Sequence, residues 1–438
     1  MFAFFAENLY TSYQEINMER SMYAERLKNL GTETAFEVTN EVSRLKGKGY
    51  NIIELHIGEP DFGTPEYIIR AAKKALDDGY THYTPSGGLP QFKKSIARYF
   101  SETRQIPPPP LQNIIVAPGA KPFIGYAIAT LVNPGEEVIY PNPGFPIYES
   151  QIGYWGAKPI ALLLREDKQF RFEHSDLEKL VSNKTKIIYI NSPQNPTGSV
   201  LTKDDLEFIA GLAKKHDCWV FSDEMYSQLV YDGEFNSIIR IPGMAERTIL
   251  VDGMSKTFAM TGWRVGFALV PEKLAKLIEN QIINTVSCTA AFAQIASAQG
   301  LEAYLDGNLP EVGAMVSEFK TRRDLAVDLI NREIEGFSCL VPPGAFYDWV
   351  NCTSACSEKG FRDSKQLQHY LLWEGHPSRK LVSLTSKTDF GMKLAGETQE
   401  YLRVSNANSR DNIREGIKRI RDMLSDGEST EKFLREKA

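Results

Sequence analysis

Histidine and cysteine are scarce in this chain, with six and five residues among 438. Cys218, Cys288, Cys339, Cys352 and Cys356 form an odd set with neither the density of a secreted disulfide framework nor a C-x-x-C pair of the zinc type. His56, His82, His174, His216, His369 and His376 never take the H-E-x-x-H or H-x-x-x-H spacing of a helical ligand pair, so no metal site is assigned. An excess of positive charge is missing too: 50 Lys and Arg face 56 Asp and Glu, a net charge of -6, which argues against a nucleic-acid partner. No apolar run approaches the roughly 18 residues that span a bilayer. The opening MFAFFAENLY is interrupted at Glu7 and lacks the basic start of a signal peptide. These absences lead us to expect a soluble, cytoplasmic protein without a membrane partner, acting on small molecules.

From about residue 112 to 270, short apolar runs alternate with helical stretches: NIIVAP, EEVIYP, KPIALLL, KIIYINSP, CWVFSDE, TILVDGMS and WRVGFALV. Runs that are apolar at every position are the signature of buried parallel strands, and their alternation with helices predicts an α/β fold with a mostly parallel sheet. After about 272 the pattern predicts long helices near 272–304 and 310–335, then strand-like pieces around 339–350, 380–385 and 401–405. We therefore expect an N-terminal extension over 1–30, a small α+β domain made of 31–65 together with 305–438, and a large domain over 66–304. The extension is expected to be an arm on the protein's own surface or on a second subunit. Arg322 and Arg323 are expected on the solvated face of a long helix, and Cys352 and Cys356, spaced i, i+4, are expected to be packing residues.

Ligands of open α/β sheets sit at the carboxyl ends of the strands, so the polar residues following each run carry the chemistry. NIIVAP is followed by Gly119, Ala120 and Lys121, which open a helix whose free N–H groups suit a phosphate. EEVIYP leads to Phe145 on a Pro-rich turn, placed to stack on a flat ring. KIIYINSP leads to Asn195. CWVFSDE places Asp223 at an apolar strand end, where a carboxylate needs a partner. TILVDGMSK ends with Ser255 and Lys256; an amine at a buried strand end tends to lose its proton and can then attack a carbonyl. Phosphate cradle, stacking ring, amide, acid and amine at one end of one sheet complement pyridoxal 5′-phosphate.

The segments GEPDF from Gly58, HYTPSGG from His82, PGAK from Pro118, NSPQNPTG from Asn191, SDEMY from Ser222, SKTFAMTGWRVG from Ser255, PPGAFY from Pro342 and YLRVSNANS from Tyr401 are co-linear over about residues 30–425. In them the chain resembles the class I/II aminotransferases of fold type I, in the aspartate-aminotransferase-like branch. The resemblance implies an amino group moved from an L-amino acid to a 2-oxo acid, 2-oxoglutarate as acceptor, ping-pong turnover, and a homodimer with shared active sites. It implies that Lys256 holds the cofactor and moves the substrate proton. Asp223 would pair with the ring nitrogen, Asn195 and Tyr226 would bond the phenolic oxygen, and Phe145 would stack on the ring. The backbone of Gly119, Ala120 and Lys121, with Ser255 and Arg264, would hold the phosphate, and Tyr83 would reach the phosphate of the neighbouring subunit. Gly58, Phe145, Asn195 and Arg403 would meet the substrate, Arg403 gripping its α-carboxylate.

In one aspartate-using branch the lysine matched by Lys121 binds a distal carboxylate, which favours an aspartate-like donor. Against it, Glu33 and Ala35 stand where that branch has small hydroxyl residues, a carboxylate at Glu33 would repel an acidic side chain, and Gly87 stands where relatives often have lysine, so neutral, aromatic and basic amino donors stay open. The same fold and lysine also serve lyases, cyclases and decarboxylases, the alternative activity left open. A transcriptional regulator is disfavoured because only about 30 residues precede the match, too few for a winged helix.

Overall fold

The computed structural model describes residues 23–31 and 35–436; most of the extension predicted over 1–30 lies outside them. Its strands are β1 (Asn51–Glu54), β2 (Ile114–Ala117), β3 (Glu137–Asn142), β4 (Lys158–Arg165), β5 (Arg171–Phe172), β6 (Thr185–Asn191) and β7 (Trp219–Asp223). They continue with β8 (Thr248–Gly253), β9 (Gly266–Leu269), β10 (Ser338–Cys339), β11 (Tyr347–Asn351), β12 (Lys380–Ser383), β13 (Thr385–Ser386) and β14 (Tyr401–Ser405).

Eight strands form one sheet in the order β2-β9-β8-β7-β6-β3-β4-β5. Its centre is parallel, with β4, β3, β6, β7 and β8 paired in the same direction, and β9 runs antiparallel between β8 and β2. All six residues of β8 are buried, because helices cover both faces and leave no side for polar residues. From the β3/β6 pair the chain order runs outward in both directions, and such a switch point opens a crevice beyond the carboxyl ends. The strands predicted from apolar runs are therefore present.

The predicted helix over 272–304 is instead two helices, Glu272–Thr285 and Ala291–Leu305. The break falls at a run of β-branched and hydroxyl residues, Thr285 to Thr289, with Ser287 in the left-handed region at φ 62°.

β10-β11-β14-β13 make a second, antiparallel sheet, and β1 pairs in parallel with β12. Val38, Val42, Leu45, Ile52 and Leu55 share one apolar core with residues 326–433, so the two ends of the chain pack together. Arg322 and Arg323 correct the expectation of a solvated face: they are 6% and 1% exposed. Arg322 pairs with Asp61 at 2.7 Å and with Glu318 at 2.9 Å, and Arg323 with Asp232 at 2.7 Å, because helix Pro310–Glu333 packs this side inward. Cys352 and Cys356 are buried packing residues with Sγ atoms 3.9 Å apart. Among the described residues no helix is long and apolar enough to cross a membrane, and no group of three His, Cys, Asp or Glu could hold a metal ion.

One buried carboxyl in the core lacks a charged partner among the described residues. Asp348 of β11 is fully buried, and its carboxyl nears Asn406 without a hydrogen bond of good geometry to any described residue. Burial pushes it up to about 7 from 3.8. The folded state therefore keeps a proton that the unfolded state releases, and stability falls as pH rises between about 4 and 7, by about 4 kcal/mol in all. Asp348→Asn should raise the thermal midpoint at pH 8, with the gain shrinking toward pH 5; an equal gain at both pH values would contradict the assignment.

Candidate active site

A cavity of about 680 Å³ opens beyond the carboxyl ends of β3, β6, β7 and β8. Gly58, Ala120, Lys121, Phe145, Asn195, Asp223, Tyr226, Ser255, Lys256, Arg264 and Arg403 all line it. Two predicted residues do not. Gly119 lies just behind the wall, and Tyr83 is 89% exposed on the surface.

Arg403 on β14 is 2% exposed and has no carboxylate partner among the described residues. Its guanidinium lies between the rings of Tyr347 and Phe390, 4.4 and 4.7 Å from their centroids. Nη1 donates to Asn195 Oδ1 at 2.9 Å and Nη2 to the His56 carbonyl at 2.7 Å. Nε has no partner. A buried cation with donors left over is built to receive an anion, and a planar fork suits a carboxylate.

Asp223, at the end of β7, accepts a 2.6 Å hydrogen bond from the Tyr148 hydroxyl and a 3.2 Å one from the Met225 amide. Burial pushes its carboxyl up to about 6. The two hydrogen bonds oppose that rise, and the charges of Asp252 and Glu224 add to it. Tyr148 also meets Phe145 edge-on at 5.7 Å and stacks on Tyr189 at 5.3 Å, so one tyrosine supports both the acid and the ring above it.

Lys256 Nζ donates to the Gly58 carbonyl at 2.6 Å and lies 5.9 Å from the Tyr226 and Phe346 ring centroids. The Tyr226 and Tyr347 hydroxyls are 2.8 Å apart, and Tyr347 donates to the same Gly58 carbonyl at 3.4 Å. Lys121 Nζ lies 5.5 Å from the Phe145 ring and 6.0 Å from that of Phe36. Glu33 lies outside the described residues.

The end of the cavity at the start of helix Pro122–Leu131 is shaped by glycine. Gly119 has φ 92°, and a Cβ there would strike the Arg264 guanidinium; a Cβ on Gly266 would strike the backbone of Gly119 and Ala120. Arg264 can therefore lie across the amides that precede helix Pro122–Leu131, donating to the Thr261 carbonyl at 2.8 Å. The Arg264 fork, the helix start and the Ser255 hydroxyl, which lines the same cavity, form a donor set that fits a phosphate, and Asp223 with Phe145 fits a protonated aromatic ring.

Tyr148, Tyr347, Thr39 and His56 belong to the site but were not singled out from sequence. PPGAFY carries a local signal for Tyr347, and the Pro-rich turn that holds Phe145 ends at Tyr148.

The sequence profile for "Aminotransferase class I and II" matches residues 50–420. An aspartate aminotransferase of Musicola paradisiaca is 36% identical over 84% of this chain and 89% of its own length. An aromatic-amino-acid aminotransferase 2 of Thermococcus litoralis is 38% identical over 86% and 92%. The crystal structure of an aspartate aminotransferase from Rhizobium meliloti superposes with a TM-score of 0.84 at 31% identity, covering 92% of this chain and 99% of that one. The chain belongs to the class I and II aminotransferases, with the fold type I architecture of that family. It is a transaminase, and the family depends on pyridoxal phosphate.

Tyr148→Phe removes the shorter bond to Asp223. Because a hydrogen bond to a charged group contributes about 1.5–3 kcal/mol, the Asp223 pKa should rise by about one unit or more in a carboxyl NMR titration of the cofactor-free protein. No rise would mean that Tyr148 does not hold this carboxylate.

Proposed function

We propose that the chain transfers the amino group of an L-amino acid to a 2-oxo acid, with 2-oxoglutarate as acceptor, in two half-reactions at this one cavity. The observation that carries the reading is Arg403, a buried guanidinium without a carboxylate partner among the described residues, in the same cavity as Lys256 and Asp223. Pyridoxal phosphate, when bound, supplies the carbonyl that takes up the amino group and the ring that accepts electrons.

Arg403 would bind the α-carboxylate through two parallel hydrogen bonds and so orient the Cα–H bond. The Lys256 amine, held toward the cavity by the Gly58 carbonyl, would take the proton from the substrate Cα and return it. Asp223 would keep the ring nitrogen protonated, Asn195 and Tyr226 would bond the phenolic oxygen, and Phe145 would cover the ring face. Ser255, Arg264 and the amides from Gly119 to Lys121 would hold the phosphate. One site serving both amino donor and oxo acceptor in turn gives ping-pong kinetics.

Among the described residues four cationic side chains line the cavity, Lys121, Lys256, Arg264 and Arg403. Lys121, which matches the lysine that binds a distal carboxylate in one aspartate-using branch, is one of these lining residues, and this supports an aspartate-like donor. A homodimer fits the exposed apolar side chains of Tyr80, Tyr83, Ile283 and Val286, with Tyr83 reaching the partner's phosphate. The shared core of residues 38–55 and 326–433 supports a small domain made of 31–65 and 305–438 beside a large one over 66–304. Five free thiols suit a reducing, cytoplasmic setting.

Lys256→Ala should lower kcat by about a thousandfold or more, the scale of lost general acid-base catalysis, while the fold persists by circular dichroism; wild-type turnover would overturn the assignment. Lys121→Ala should lower kcat/KM for L-aspartate by about tenfold or more, the value of one charge-assisted hydrogen bond, and leave L-phenylalanine within about twofold. An equal loss for both donors would count against a distal carboxylate at Lys121.

A further inference from the structure

His56 is the point where four elements meet. Its residue follows β1, and its backbone carbonyl accepts the 2.7 Å bond from Arg403 of β14. The side chain is fully buried and bridged at both ends: Nε2 lies 3.0 Å from Thr39 Oγ1 of helix Ala35–Gly47, and Nδ1 lies 2.7 Å from Ser383 Oγ of β12. The neighbouring backbone is fixed as well, with the Leu55 amide donating to Ser383 O at 3.0 Å and the Ser405 amide to Leu55 O at 2.8 Å.

The direction of the chain follows from its far end. Ser383 Oγ also lies 3.5 Å from the Ile53 carbonyl; donation to that carbonyl corresponds to the tautomer in which Ser383 accepts from Nδ1–H and Nε2 accepts from the Thr39 hydroxyl. This assignment needs a neutral ring. Burial first, then the charges of Arg403 and Lys46, push His56 down to about 3.

We propose that the chain Thr39–His56–Ser383 is a positioning relay for substrate binding, pinning helix Ala35–Gly47 as a wall of the cavity and fixing the carbonyl that aims Arg403. Thr39 and His56 line the cavity, but in this role they act through Arg403 and the wall, without touching the part of the substrate that differs between amino acids. A break at either end frees the imidazole, so the two ends behave as one unit. The inference rests on Arg403 holding the α-carboxylate.

The test uses holoenzyme carrying Thr39→Val, Ser383→Ala or both, with L-aspartate and L-phenylalanine as donors. KM should rise by the same factor for both donors, about fivefold for one lost hydrogen bond, with kcat within about twofold and the visible absorbance of bound cofactor retained. The double variant should be no worse than the worse single one, amides over 36–47 should exchange faster, and Thr39→Ser should restore both readouts. Should Ser383→Ala fail to fold, Thr39→Val and Thr39→Ser decide the matter from the half-buried end. A KM change confined to one donor, multiplicative effects in the double variant, or unchanged exchange over 36–47 would overturn the relay. Arg403→Lys is the control: unchanged KM there would reject the carboxylate reading, while the exchange data still judge the relay.

Discussion

One guanidinium ties together the two strands that present the reacting groups. Arg104, at the end of helix Pro90–Arg104, is completely buried and donates to Glu224 at 2.9 Å, just beyond β7, and to Asp252 of β8 at 2.6 Å. β7 ends in Asp223 and β8 runs on to Ser255 and Lys256, so the cross-link lies directly beneath the acid and the amine. Ser222, Ser227, Ser237, Tyr99 and the Gly253 amide supply the remaining hydrogen bonds to the two carboxylates. Tyr99, Phe100 and Phe235 surround the cation at 5.3, 5.5 and 5.3 Å. Removing one partner of such a network leaves a buried charge uncompensated, at a cost of about 3–5 kcal/mol. Two carboxylates around one cation also leave a net negative charge below Asp223, which helps hold its pKa near 6.

Above this base the cavity separates its charges by construction. Arg403 keeps its place through two ring faces and two neutral acceptors, so its charge stays available to a ligand. His56 is neutral where a second cation would compete for the same carboxylate. At the other end the glycines let Arg264 cross the helix start that suits a phosphate. A molecule with a phosphate and a protonated ring, joined to an amino acid carrying an α-carboxylate, meets a complementary group at each point.

Much of this was legible in the sequence because it is local. Apolar runs mark the strands, and Asp223, Asn195 and Lys256 follow directly after them, so strand topology alone brings them to one edge. The supporting groups were not legible. Tyr148 reaches Asp223 across 75 positions, Arg104 reaches Glu224 across 120, and Arg403 reaches the His56 carbonyl across 347. Periodicity cannot report such pairs, since each looks like a core aromatic or a surface charge until the chain is folded. Arg322 and Arg323 failed for the same reason: two adjacent arginines on a long helix look solvated, and only the packing of Asp61, Phe62 and Asp232 turns them inward.

The central claim is that one cavity performs an amino-group exchange in two separable halves. The direct measurement mixes holoenzyme with an amino acid alone, without an oxo acid, and counts the product against enzyme sites. One equivalent of 2-oxo acid per site with a lasting change in visible absorbance, reversed on adding 2-oxoglutarate, is the predicted result. Continuous product formation without an acceptor, or release of carbon dioxide, would contradict it.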